Sequence, residues 1–129
     1  MIGPGEKGLL HQEGLRRSKR LPTRIKVRWV RRDGGIDLEA TDISLHGMFL
    51  RTDYATTPGS LLQLVVMLPT RAIRMFVTAR FVGSTMGGHG IGLEIFLMDE
   101  LDRRAWRDYY RAQLVRSEAT PVATEATAR

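Results

Sequence analysis

The 129-residue sequence contains no cysteine, which excludes disulfides and thiolate metal sites and is compatible with the cytoplasm. No apolar run approaches the ~18 residues of a membrane span. Residues 1–14 are polar and rich in glycine where a secretory leader needs an apolar stretch, so neither a leader nor membrane insertion is expected. There is no internal repeat. Acidic residues are missing from Arg16 to Arg32, a stretch that holds nine of the twenty lysines and arginines. His11, His46 and His89 are scattered and stand near no carboxylate cluster, so no metal site is expected. Ser44 has no evident base beside it, and no acid/base pair stands out, so an enzyme is not expected.

What remains is enough for one folded domain. Hydrophobic residues make up 43% of the chain, and a domain of this size buries roughly two-thirds of its surface on folding. Residues 1–14 carry no hydrophobic period and read as a flexible arm. Residues 117–129 are rich in Ala and Thr and read as a disordered tail. The domain is expected between them, over residues 15–116.

Within it the pattern is mostly strands. Ile25, Val27 and Trp29 alternate with Lys26, Arg28 and Val30, giving a half-buried strand with a basic outer face. Asp33-Gly34-Gly35 supplies a hairpin turn. Ile36, Leu38 and Ala40 alternate with polar residues, and a third strand follows Gly47. Pro58-Gly59 turns the chain again. Leu61 to Leu68 is nearly continuous in apolar residues, so that strand is expected either to be buried on both faces or to lie beside a long element. Ile73, Met75, Val77, Ala79 and Phe81 form an inward-facing set, and Ile91, Leu93 and Ile95 a last strand. Gly87 to Gly90 lie between strands and read as a hairpin rather than a phosphate-cradling loop. Asp99 to Val115 has no Gly or Pro. Asp99 is an N-cap candidate, with Leu101, Ala105, Trp106, Tyr109, Ala112 and Val115 near one helical stripe. Trp29, Trp106, Tyr109 and Tyr110 read as core or cap residues and the methionines as core filler. Six short strands and one helix point to a small antiparallel β-barrel with a helical cap.

Two segments about 20 residues apart carry the chemistry. Arg16-Arg17-Ser18-Lys19-Arg20 places four positive charges in five residues, and Pro22 argues for a loop rather than a helix. Guanidinium groups grip phosphate through paired hydrogen bonds, read the O6/N7 edge of guanine, or lie flat on a base. The bland alternative is a solvated basic face. In Asp42-Ile43-Ser44-Leu45-His46-Gly47, the carboxylate can accept from the N–H groups of guanine. The hydroxyl can donate and accept, and the glycine permits positive φ or close approach of a ligand. Here the alternative is an Asx-type turn bonded only to its own amides. Taken together, the segments point to a site for a phosphorylated nucleotide.

Arg16-x-x-x-Arg20 followed by Asp42-x-Ser44-x-x-Gly47 resembles the two-part signature of PilZ domains, bacterial receptors for cyclic di-GMP. Arg20-Leu-Pro-Thr-Arg24-Ile-Lys-Val resembles that family's first strand, and Gly90-Ile-Gly92-Leu-Glu-Ile its late strand. The resemblance spans most of residues 15–115. It implies a six-stranded antiparallel β-barrel with a C-terminal α-helix, the ligand lying between the arginine loop and the barrel surface. Arg16 and Arg20, helped by Arg17, would contact phosphates and guanine edges. Asp42 and Ser44 would bond a guanine, and Gly47 would shape the turn. Where many members have a further arginine before the motif, this chain has Leu15, at a position associated with binding one ligand or a stacked pair.

The function so implied is that of a cytoplasmic, non-enzymatic receptor. It would bind cyclic di-GMP and, as an adaptor, relay it to a downstream protein in motility, surface polysaccharide or biofilm control. Two competitors remain. One is a barrel of this fold that binds partners but no nucleotide. The other is a small basic nucleic-acid-binding barrel using Arg24, Arg28, Arg31 and Arg32, a less favoured reading.

Overall fold

The computed structural model describes residues 19–86 and 88–127, with side chains as far as residue 119. Among these residues there are six strands: β1 (Leu21–Arg31), β2 (Gly34–Ser44), β3 (Gly47–Arg51), β4 (Leu61–Met67), β5 (Ala72–Thr85) and β6 (Gly88–Leu97). One helix follows, α1 (Glu100–Thr127). All strand pairs are antiparallel, and the sheet closes on itself in the order β1-β2-β3-β6-β5-β4, with β4 returning to β1 through Val27↔Val66 and Trp29↔Leu64. The expected barrel and its closing helix are therefore observed. The expected arm, Leu15, Arg16, Arg17 and Gly87 lie outside the described residues.

Period-two patterning explains the closure. Ala40, Ile43, Met48, Leu50, Leu64, Val66, Ile73, Val77 and Ile91 are wholly buried. Each large aliphatic among them contributes about 1.5–3 kcal/mol by leaving water. Asp33 ends the β1–β2 loop, and Gly34 begins β2 at φ 124°, a conformation that glycine adopts without strain.

The structure departs from simple alternation where strands bulge. Phe81, expected inside, is 45% exposed, because the β5–β6 register shifts between Ala79 and Phe81. The extra residue turns Arg80 and Phe81 both outward. β4 is not buried on both faces. Leu62, Leu64 and Val66 point in while Leu61 and Met67 are exposed, and the strand lies beside the long β5, the other expected arrangement. Met48, Met75 and Met98 do fill the core, but Met67 and Met86 are exposed.

Asp99 caps α1, its carboxylate accepting from the Asp102 amide at 3.0 Å. The helix packs against β1 and β5. Its inner face is set by Asp102, Trp106 and Tyr110, with Ala105, Tyr109 and Leu114 partly buried. Leu101 and Val115, expected on the stripe, are exposed. Asp102 replaces Leu101 inside because its carboxylate has partners there. It accepts from Arg71 Nη2 at 2.8 Å and from the Arg74 amide at 3.1 Å. α1 continues through Ser117 to Thr127, where a disordered tail was expected. No described helix is long and apolar enough to cross a membrane.

Candidate functional site

The register of β1 on β2 places the two sequence segments side by side. Leu21 pairs with Ile43 and Pro22 with Asp42. Leu21 and Ile43 are 1% and 0% exposed, so a one-residue slip would turn both out of the core, and the register is pinned. Arg20 immediately precedes β1 and reaches back over Asp42. Its Nε and Nη2 both donate to Asp42 Oδ1, at 3.1 and 2.6 Å. Bulges in β1 between Pro22 and Ile25, and in the β2–β3 pair between Ala40 and Asp42, aim Asp42 outward while Ala40 stays buried.

The turn between β2 and β3 is held from behind. The Leu45 carbonyl accepts from Trp106 Nε1 at 3.0 Å, and the His46 carbonyl accepts from the Ile95 amide at 2.8 Å. Ser44, at 6% exposure, pairs with Gly47 across this two-residue loop. Gly47 has no positive φ. It is needed for a different reason than a turn, since a Cβ there would run into the backbone carbonyl of Leu93. This close approach is made by β6.

Arg20, Asp42, Ser44 and Gly47 line one side of an open groove of about 810 Å³. That lies within the range of about 300–1,000 Å³ typical of small-molecule sites. The opposite side is Arg80, Phe81 and Glu94. Arg80 Nε donates to Glu94 Oε1 at 2.6 Å, so each wall carries a guanidinium bonded to a carboxylate. Phe81 pairs with Gly92, and its ring lies over Gly83, where an added Cβ would meet Phe81 Cζ at 2.9 Å. The groove thus offers anion-binding and N–H-accepting groups on both walls and an exposed ring for stacking. Among the described residues no His/Cys/Asp/Glu cluster could hold a metal.

Arg20, Asp42, Ser44 and Gly47 are brought together as expected, and Arg16 and Arg17 lie outside the described residues. His46 is exposed and also lines the groove. Arg80, Phe81 and Glu94 were missed. The available signal was Phe81 with Gly83 two residues on, a large aromatic beside a glycine that leaves room for its ring. Without the bulge, alternation assigns Phe81 to the core. The basic outer face of β1 is less free than its composition implies. Arg24 pairs with Glu39 at 3.2 Å, Arg28 with Asp37 at 3.1 Å and Arg31 with Asp33 at 3.9 Å.

Comparison with known proteins adds three findings. No curated protein matches the chain. Among solved structures, the Bacillus subtilis inhibitor of motility MotI/DgrA aligns with a TM-score of 0.67 at 18% identity, over 77% of this chain and 51% of that one. Escherichia coli YcgR in complex with c-di-GMP aligns with a TM-score of 0.67 at 13% identity, over 85% and 50%. The separate PilZ domain of YcgR with c-di-GMP aligns at 0.61 and 12%, over 81% and 95%. The chain spans about half the length of MotI and of full YcgR. These likenesses are of fold. The model of the PilZ domain matches residues 14–112, taking in both segments, the whole barrel and most of the buried part of the helix, and the chain belongs to the PilZ domain family.

Proposed function

We propose that this chain is a receptor for cyclic di-GMP, holding the dinucleotide between the arginine segment and the groove on the barrel. The observation that carries the reading is the meeting of Arg20 with Asp42, from segments 22 residues apart, at the rim of a groove of ligand size. The complexes of YcgR with c-di-GMP share this fold and support the choice of ligand. Arg20 would exchange its bond to Asp42 for the ligand's phosphate and guanine edges, with Arg16 and Arg17 joining it. Asp42, released, would accept from guanine N1–H and N2–H₂ together with Ser44, and Gly47 would keep the turn tight against β6.

The role is that of an adaptor rather than an enzyme, working in the cytoplasm. The Leu45-His46 turn links the groove to α1, and a partner protein would read the ligand through it. Control of motility is the output that the MotI likeness brings to mind.

The nucleic-acid alternative relied on Arg24, Arg28, Arg31 and Arg32, three of which are paired with acids. Equilibrium binding of labelled cyclic di-GMP and of labelled duplex DNA to the wild type and to Asp42→Ala separates the readings. The receptor reading expects saturable dinucleotide binding that Asp42→Ala weakens and unlabelled GTP does not compete away. Salt-sensitive DNA binding indifferent to Asp42, without dinucleotide binding, would replace it.

A further inference from the structure

A second recess lies where α1 meets the barrel, and nothing in the proposed ligand reading uses it. It is a cavity of about 270 Å³ between the Leu45-His46 turn, the end of β6 and the first turns of α1. That is slightly below the about 300 Å³ at which small-molecule pockets begin, and it suits one large side chain better than a whole ligand. Its apolar lining includes Phe96, Leu97, Met98 and the buried Trp106.

Phe96 is the informative residue. The β5–β6 register shifts here, with Val77 opposite Ile95 and Phe76 opposite Leu97, so Phe96 is the extra residue of a bulge. The bulge turns it to solvent, leaving Phe96 66% and Leu97 52% exposed. Two adjacent exposed apolar side chains beside an apolar recess suit a contact surface. Phe, Met, Trp and Arg are also the residues enriched where proteins meet.

The charge around the recess is of one sign. Arg103 and Arg107 line it, one helical turn apart on the same face of α1, and no acidic residue does. Arg103 donates to the Met98 carbonyl at 3.2 Å, which holds its guanidinium at the rim. Among the described residues the sheet closes on itself, and what the recess offers a partner is side chains. We propose that this recess is the docking site for an acidic protein segment that inserts one large apolar side chain and pairs flanking carboxylates with Arg103 and Arg107. A concave cavity selects a side-chain anchor over a membrane surface, and its apolar floor selects a protein over nucleic acid. The inference does not depend on the identity of the nucleotide in the other groove.

The probe is a fluorescein-labelled helical peptide with one phenylalanine flanked by glutamates one turn to either side. Controls are the same peptide with alanine for phenylalanine, and the same peptide with lysine for each glutamate. Anisotropy and amide chemical shifts are read on the whole chain without nucleotide. The expected result is saturable binding with shifts at Leu45, Met98 and Trp106, lost with either control. Arg107→Glu should weaken it about five- to tenfold. Arg107 is exposed, so this variant should keep the wild-type melting temperature. Absence of binding, or equal binding of the lysine peptide, would overturn the proposal. So would shifts at these amides with anionic vesicles or duplex DNA but not with the peptide. Peptide binding seen only after removal of residues 1–14 would assign the recess to the chain's own arm and overturn it too.

Discussion

The hydroxyl of Tyr110 donates to the backbone carbonyl of Lys19 at 2.7 Å, so the closing helix holds the residue next to Arg20. One residue earlier, Tyr109 shares a hydrogen bond of 3.0 Å with Thr23. Trp106 bonds the Leu45 carbonyl in the turn that follows Asp42 and Ser44. The helix thus braces both groove-facing segments from behind while Arg20 and Asp42 face the groove. Tertiary packing supplies the rigidity that a loop and a turn lack on their own.

Tyr110→Phe keeps the ring in the core and removes only the bond to Lys19. Urea unfolding should show a loss of about 1 kcal/mol. Hydrogen exchange should quicken at the amides of Arg20 and Leu21 more than at the barrel core. Uniform acceleration across the barrel would show that the bond is not a local brace.

Gly47→Ala tests the reason for that glycine. The added methyl meets the Leu93 carbonyl, so β3 and β6 must separate. A cost of about 1–3 kcal/mol in chemical denaturation is expected, as for other overpacked sites. An unchanged midpoint would mean that the glycine serves the ligand rather than the β3–β6 contact.

Much of this architecture is legible in the residues. Ile25, Val27 and Trp29 announce β1, and Asp99 announces the helix start, because period and cap chemistry are local. The likeness of Arg20, Asp42, Ser44 and Gly47 to a known signature locates half the groove. The other half is not legible, because it depends on bulges. Phe81 follows Ile73, Met75, Val77 and Ala79 in perfect alternation, and only the shifted pairing with β6 turns it out. Asp102 is hidden for another reason. A carboxylate among apolar helix positions is inward only if a distant strand brings Arg71 and the Arg74 amide to it.

Asp102→Ala leaves the Arg74 amide and the Arg71 guanidinium without their acceptor. Arg71 is half exposed and keeps access to water, so the expected loss is about 2 kcal/mol, less than for a fully buried pair. Asp102→Asn should recover part of it, since the amide oxygen can still accept. Thermal denaturation of the two variants side by side gives the comparison.

Phe81→Ala separates stacking from folding. The ring is 45% exposed, so stability should change little. Loss of one base–aromatic contact should weaken cyclic di-GMP binding by about 1–3 kcal/mol. If affinity holds and the melting temperature falls, the ring belongs to the barrel and not to the site.

In the proposed receptor Arg20 serves the nucleotide and contributes little to the fold. Its pair with Asp42 is exposed, of a kind contributing about 0–1 kcal/mol, so Arg20→Ala should melt close to the wild type. The direct test is a calorimetric titration of cyclic di-GMP into the wild type and Arg20→Ala at physiological salt, with GTP as control. The expected result is saturable heat from the wild type, none from Arg20→Ala and none from GTP. An absence of heat from the wild type, or equal binding by the folded Arg20→Ala variant, would contradict it.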